Sequence, residues 1–256
     1  MAAPPETSAP GIGHGRLGEL SLAQPDRGYR FSIDSVLLAA FASPRRGQVA
    51  DLGAGCGVLD VLLARRGVGG PFLAVEIDPL AGRCCQLNFE AFALPGQVLI
   101  HDLREPHPLL SPGAHALVVS NPPFGRPGAG RIPPEPARAR ARHELEINAP
   151  EMLTVAARLL KNHGRLALCA PPRRLPELFA ALAAQRLAPQ RLRLVHGRAG
   201  LPAKLALIEA VKDGGDELRV EPPLTVYGEG QAYAEEVAAI YRELTGGPSG
   251  PASRPA

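Results

Sequence analysis

Apolar residues in this chain fall in short runs separated by amphipathic stretches. Seven runs rich in Val, Leu, Ile and Ala, each bounded by turn residues, predict strands over Gln48–Leu52, Phe72–Ile77, Gln97–His101, Ala116–Ser120, Arg165–Ala170, Arg191–His196 and Lys204–Val211. Helical periodicity lies between them, over Ser35–Ala42, Val58–Arg66, Pro79–Ala91, Pro150–Lys161 and Leu175–Gln185, and again over Tyr233–Leu244. The Pro150 helix has a proline in its first turn and is expected to stop before Asn162-His163-Gly164. Strands that alternate with helices predict an α/β fold around a mostly parallel sheet.

Three segments lack this pattern. Met1–Gly15 and Gly246–Ala256 are rich in Pro, Gly, Ala and Ser, and are expected to be mobile tails on one domain over residues 16–245. Gly125–Arg142 is a polar loop that contains prolines and the run Arg138-Ala-Arg140-Ala-Arg142, and loops of that length are either functional or disordered.

At 256 residues and 45% apolar content the chain can bury a substantial core. A net charge of +3 is compatible with a nucleic-acid partner without demonstrating one. Most of the positive charge is arginine, which alongside abundant Ala, Pro and Gly is equally what a GC-rich genome produces. The four cysteines, Cys56, Cys84, Cys85 and Cys169, show neither CxxC spacing nor a zinc-type quartet, so no metal is expected and the thiols read as those of a reduced, cytoplasmic protein. No apolar run approaches the roughly 20 residues that span a bilayer, and a soluble protein is expected.

Candidate chemistry begins at Asp51-Leu52-Gly53-Ala54-Gly55-Cys56-Gly57, directly after one expected strand and before a helix. Glycines at alternate positions allow a tight turn and let backbone approach a ligand at the carboxyl end of the strand. The next strand ends in Glu76-Ile77-Asp78, where α/β nucleotide folds place the acid that holds a ribose, which makes Glu76 the candidate and Asp78 its neighbour. A third strand ends at His101-Asp102-Leu103, which sets an acid for the amine of an adenine ring and an apolar residue against its face. A dinucleotide loop would carry its third glycine one residue later, so the spacing favours S-adenosylmethionine over NAD. Taken in isolation, the glycine trio also reads as an ordinary turn.

The fourth strand runs into Asn121-Pro122-Pro123-Phe124. An exocyclic amine on a conjugated ring is a poor nucleophile, because its lone pair is delocalised. Hydrogen bonds to the Asn121 side-chain oxygen and the Pro122 carbonyl would draw the nitrogen toward tetrahedral geometry and aim it at an activated methyl. Pro123 would stiffen the turn and Phe124 would stack on the flat substrate. The tetrapeptide alone also fits a plain turn.

Together these residues resemble the class I methyltransferases with an N-P-P-Y/F motif, and more narrowly the bacterial tRNA adenine-N6 methyltransferases that act on valine tRNA. The segment Gly28–Ala39, with Arg30 and Asp34, is similar to the family's entry segment over the cofactor pocket. Ala141-Arg142-His143-Glu144 is similar to its Ala-Arg-aromatic-Glu stretch, and the likeness runs on through Gly164-Arg165-Leu166, Thr225-Val226-Tyr227 and Tyr233. The resemblance implies a Rossmann-like seven-stranded sheet and S-adenosylmethionine as methyl donor. It implies cofactor binding by Arg30, Asp34, Asp51, Gly53, Gly55, Gly57, Glu76, Asp78, Asp102, Leu103 and Asn121, catalysis by Asn121, Pro122, Pro123 and Phe124, and tRNA as the partner of a monomer or weak dimer. The sequence departs from the family in its proline- and glycine-rich loop Gly125–Pro136 and in Phe124, where many relatives have tyrosine.

Asp34 reads equally as a helix N-cap. Arg126, Arg131, Arg138, Arg140 and Arg142 read either as phosphate contacts or as a solvated loop. His143 lacks metal-motif spacing and reads as structural or RNA-facing. Glutamine-N5 methylation of a protein uses the same turn, but those enzymes carry a helical domain ahead of the sheet and only a short Pro/Gly-rich segment precedes it here. Guanine-N2 methylation of ribosomal RNA remains open. A non-catalytic cofactor- or RNA-binding module would be expected to have lost Asn121 or the glycines, and they are present.

Overall fold

The computed structural model describes residues 10–27, 31–122 and 148–247. An antiparallel hairpin of β1 (Ile12–Leu17) and β2 (Leu20–Pro25) comes first. The chain then runs through α1 (Ile33–Phe41), β3 (Gln48–Leu52), α2 (Val58–Arg65), β4 (Phe72–Glu76), α3 (Pro79–Ala91), β5 (Gly96–Ile100) and β6 (His115–Ser120). It continues with α4 (Ala149–Leu159), β7 (Leu160–Ala170), α5 (Leu175–Ala184), β8 (Leu187–His196), β9 (Ala203–Lys212), β10 (Arg219–Val220), β11 (Leu224–Thr225) and α6 (Glu235–Thr245).

The main sheet has the order β10-β8-β9-β7-β6-β3-β4-β5, with β11 also on β8. Strands β3 to β7 are mutually parallel, and β9 runs antiparallel between β7 and β8. Nine strands replace the expected seven, because β10 and β11 are two-residue additions at one edge, too short to carry an apolar period.

Both faces of the sheet are covered. Val49, Phe72, Ala74, Leu117, Val119, Ala167 and Cys169 pack with residues of α1, α2, α3, α6 and the hairpin. Their strand neighbours Ala50, Leu73, Val75, Val118, Leu166 and Leu168 pack with α4 and α5 on the other side. Side chains alternate between faces along a strand, so a sheet buried twice reads as unbroken apolar runs, and this is why these strands were visible in the sequence.

Several boundaries differ from expectation, with β8 beginning at Leu187 rather than Arg191, and two of the differences change the reading. Strand β1 begins at Ile12, inside the segment assigned to a tail, and the tail's remaining residues 1–9, like 248–256, lie outside the described residues. Helix α4 passes directly into β7 at Leu160, so Asn162-His163-Gly164 lies within a strand rather than after a helix. The pairing jumps from His115↔Leu160 to Leu117↔Arg165, which leaves residues 161–164 opposite Ala116 in a bulge, with His163 at φ 57°.

Asn88 of α3 is fully buried. Its side chain accepts from the Ala23 N–H at 2.8 Å and donates to the carbonyls of Ala23 at 2.9 Å and Cys56 at 2.7 Å. It therefore ties β2 and the glycine-rich loop to one helix. Among the described residues, no helix is long and apolar enough to cross a membrane.

Candidate active site

Strand order reverses beside β3: the chain moves through β4 and β5 on one side and through β6 and β7 on the other. In such sheets a crevice opens at the carboxyl ends of the strands at this switch point, and the candidate residues lie around it.

The glycine-rich loop forms one wall. Gly53, Gly55 and Gly57 all take left-handed backbone angles, at φ 76°, 58° and 74°. The N–H groups of Gly53 and Ala54 both donate to the Val75 carbonyl, which fixes the loop against β4. A Cβ added to Gly53 or Gly55 would meet nothing within 4 Å, so backbone is laid bare to open space there. At Gly57 the added atom would lie 2.5 Å from Cys85 Sγ, and this third glycine is instead required for close packing on α3.

Glu76 ends β4 as expected, and its carboxylate accepts from the N–H of Gly55 at 2.7 Å and of Asp78 at 2.8 Å. Burial raises its pKa above the usual carboxylate value. Asp78 serves the backbone instead, since its Oδ1 accepts from the N–H groups of Leu80 and Ala81 and so caps α3 ahead of Pro79.

Asp102 follows β5 and is held by Arg104, with Nη2 to Oδ2 at 2.6 Å and both carboxylate oxygens accepting from Nε at 3.0 Å. The hydrogen bonds from Arg104 hold its carboxyl below the usual range. Leu103 is buried in the core on the α4 side of the sheet.

Asp51 is buried beneath the glycine loop beside Asp60 of α2, which the sequence did not single out. Asp51 Oδ1 and both oxygens of Asp60 have no donor in reach. Two carboxylates bond each other only if one keeps a proton. Burial, reinforced by the neighbouring Asp60 and Glu76 charges, pushes Asp51 well above the usual range, and burial pushes Asp60 up to about 7. Burial therefore favours the protonated form within the pair.

Asn121 follows β6, the strand paired directly with β3, so it stands at the same carboxyl edge as the glycine loop. Its Nδ2 donates to Ser35 Oγ at 2.9 Å, and its Oδ1 accepts from the Cys169 thiol at 2.9 Å. Ser120 directs its hydroxyl to the Leu52 carbonyl at 2.7 Å, tying β6 to β3 just before the turn. Pro122 is half-buried next to Asn121. Asp34 is not the cap of α1, since Ser32 takes that position and accepts the Asp34 N–H at 3.3 Å. The Asp34 carboxyl is raised by burial and sits close enough to Cys169 to raise that thiol too. Arg30, Pro123, Phe124, Arg126, Arg131, Arg138, Arg140, Arg142 and His143 lie outside the described residues.

A glycine loop bare toward open space, a half-buried carboxylate at its mouth and a buried acid pair beneath it fit a nucleoside cofactor that carries positive charge. An amide anchored at the same carboxyl edge fits a hydrogen-bonding target.

Residues 21–178 match the family model described as the methyltransferase small domain. A tRNA1(Val) (adenine(37)-N6)-methyltransferase of Shewanella amazonensis is 31% identical over 222 residues, covering 85% of this chain and 92% of its own. A protein of Agrobacterium tumefaciens, described as a predicted O-methyltransferase, superposes with a TM-score of 0.66 at 22% identity over 82% of this chain and 96% of that one, a likeness of fold. A 16S rRNA N2 methyltransferase of T. thermophilus, solved with AdoMet and guanosine, superposes with a TM-score of 0.53 at 25% identity over 78% of this chain and 50% of that one.

Proposed function

The chain belongs to the methyltransferase small-domain family, and on that premise we propose that it transfers a methyl group from S-adenosylmethionine to the exocyclic N6 amine of an adenine in RNA, specifically tRNA. The observation that carries this reading is the Asn121 amide, anchored by two hydrogen bonds at the end of β6, on the strand next to the one that leads into the open glycine loop. The Shewanella relative supports the tRNA adenine as target.

When bound, S-adenosylmethionine supplies a methyl carbon activated by a positively charged sulfur. The bare backbone at Gly53 and Gly55 receives it, and Glu76 accepts from its ribose hydroxyls with the lone pairs that Gly55 and Asp78 leave free. Asp102 accepts from the adenine amine beside its Arg104 partner. Asp34 contributes from the entry segment, and Arg30 is assigned to the cofactor by the family resemblance.

On the substrate side, Asn121 Oδ1 and the Pro122 carbonyl accept the two N–H groups of the target amine. This localises the nitrogen lone pair and stabilises the positive charge that grows as the N–C bond forms. The amine proton then departs to water. Pro123 and Phe124 stiffen the turn and stack on the base, and the arginines between Arg126 and Arg142, with His143, meet the RNA backbone. A base in a single-stranded loop is splayed into such a pocket at lower cost than one in a duplex, which favours a structured RNA with an exposed adenine. A monomer or weak dimer is the working assembly.

Mass spectrometry of tRNA nucleosides from cells with and without the gene tests the proposal, with loss of N6-methyladenosine expected. The T. thermophilus neighbour supports a second reading, guanine-N2 methylation of ribosomal RNA. Loss of N2-methylguanosine from ribosomal RNA would select it, and an unchanged nucleoside profile would reject both.

A further inference from the structure

We propose that Cys169 and Ser35 are positioning residues that hold the Asn121 amide with its oxygen available to the target amine. This rests on the reading that Asn121 Oδ1 accepts from that amine. The terminal torsion of an asparagine side chain is soft and roughly two-fold, and its O and N are nearly identical in shape, so packing alone does not decide which end faces the substrate. Hydrogen-bonding partners do.

Here both ends are engaged by elements far apart in sequence. The Cys169 thiol of β7 donates to Oδ1 at 2.9 Å, and Nδ2 donates to Ser35 Oγ of α1 at 2.9 Å. The register Ser120↔Leu168 sets Cys169 beside Asn121, and both Cys169 and Ser35 are buried, 2% and 3% exposed. A carbonyl oxygen has two lone pairs. One takes the thiol, and the second remains for the substrate N–H.

The polarity of this clamp depends on the sulfur keeping its proton. Burial, and secondarily the Asp34 carboxyl, push the Cys169 thiol well above its ordinary range, so it remains a donor. A thiolate would repel Oδ1 and draw Nδ2 instead, turning the donor end of the amide toward the substrate.

The experiment compares Cys169→Ser, Cys169→Val, Ser35→Ala and Asn121→Ala in methyl transfer from labelled S-adenosylmethionine to an unmodified valine tRNA transcript. Serine keeps a donor at position 169, whereas valine keeps the bulk without one. The expected result for Cys169→Val is a fall in kcat of about tenfold, with KM for both substrates within about twofold. Cys169→Ser should stay within about threefold of the parent, and Ser35→Ala should lose kcat about as Cys169→Val does. Valine matching or exceeding serine in kcat would overturn the clamp, because only the shape at position 169 would then matter. Full activity in Asn121→Ala would overturn the catalytic reading on which the clamp rests, whereas an inactive Asn121→Ala beside a fully active Cys169→Val would overturn the clamp alone.

Discussion

Two sets of buried carboxylates lie on this sheet, and they are held in opposite ways. Glu209 of β9 is fully buried and surrounded by donors: the Ser43 N–H at 2.8 Å, the Ser43 hydroxyl at 2.9 Å, the Arg165 guanidinium, and Arg191 at 3.5 Å. Arg191 also reaches Glu221 at 2.8 Å and lies 4.3 Å from the centre of the Phe41 ring. Asp51 and Asp60 are buried as deeply, yet three of their four oxygens find no donor. A buried charge must be compensated or neutralised. The fold compensates Glu209 with its own cations, whereas burial pushes the acid pair beneath the glycine loop toward its protonated form. Self-contained charge is architecture, and buried acids left without donors beside an open loop are characteristic of a site that receives a ligand.

Mutating each acid separates these roles. Glu209→Ala leaves the Arg165 guanidinium without its carboxylate while Arg191 keeps Glu221, and the chain is expected to lose about 3 kcal/mol of stability in denaturant titrations. That is the low end for such a loss, because Arg165 and Arg191 keep 21% and 25% of their side-chain surface in solvent. Cofactor affinity of the folded protein should not change, and a large drop in affinity would erase the distinction. Glu76→Ala should do the reverse, weakening S-adenosylmethionine binding about tenfold in calorimetry while unfolding changes little; unaltered affinity would remove Glu76 from the cofactor site.

The smallest effect concerns Asp60. Its native carboxyl titrates at about 7 against an ordinary value of 3.8, so between these two values the native state holds a proton that the unfolded state has released. Stability therefore falls as pH rises through that window and is level on either side of it. Asp60→Asn carries no titrating group, so its melting temperature should gain steadily on the parent between pH 4 and 7 and stay ahead above that. Parallel curves for the two proteins would show that burial does not favour the protonated form.

What the sequence revealed follows the same division between local and distant determinants. The strands from β3 to β9 were legible because burial on both faces turns each into an apolar run, and the glycine loop, Glu76 and Asn121 were legible because their meaning lies in their place at a strand's end. Strand β1, with Gly13, His14 and Gly15 in its middle, and the two-residue β10 and β11 carry no such signal. An acid near a helix start has several uses, and only the backbone shows that Asp78 caps α3 while Ser32, rather than Asp34, caps α1. Ser35 and Cys169 meet Asn121 across 86 and 48 residues of chain, and Asp60 faces Asp51 only once α2 packs on the sheet. No local pattern marks such partners.

The side chain of Asn88 works as a rivet. With three hydrogen bonds it joins the outer hairpin, a helix and the loop between β3 and α2, across 65 and 32 residues of chain. Prying the hairpin away would break both bonds to Ala23 and leave only the one to Cys56, so the early ribbon and the seat of the glycine loop draw on a single buried amide.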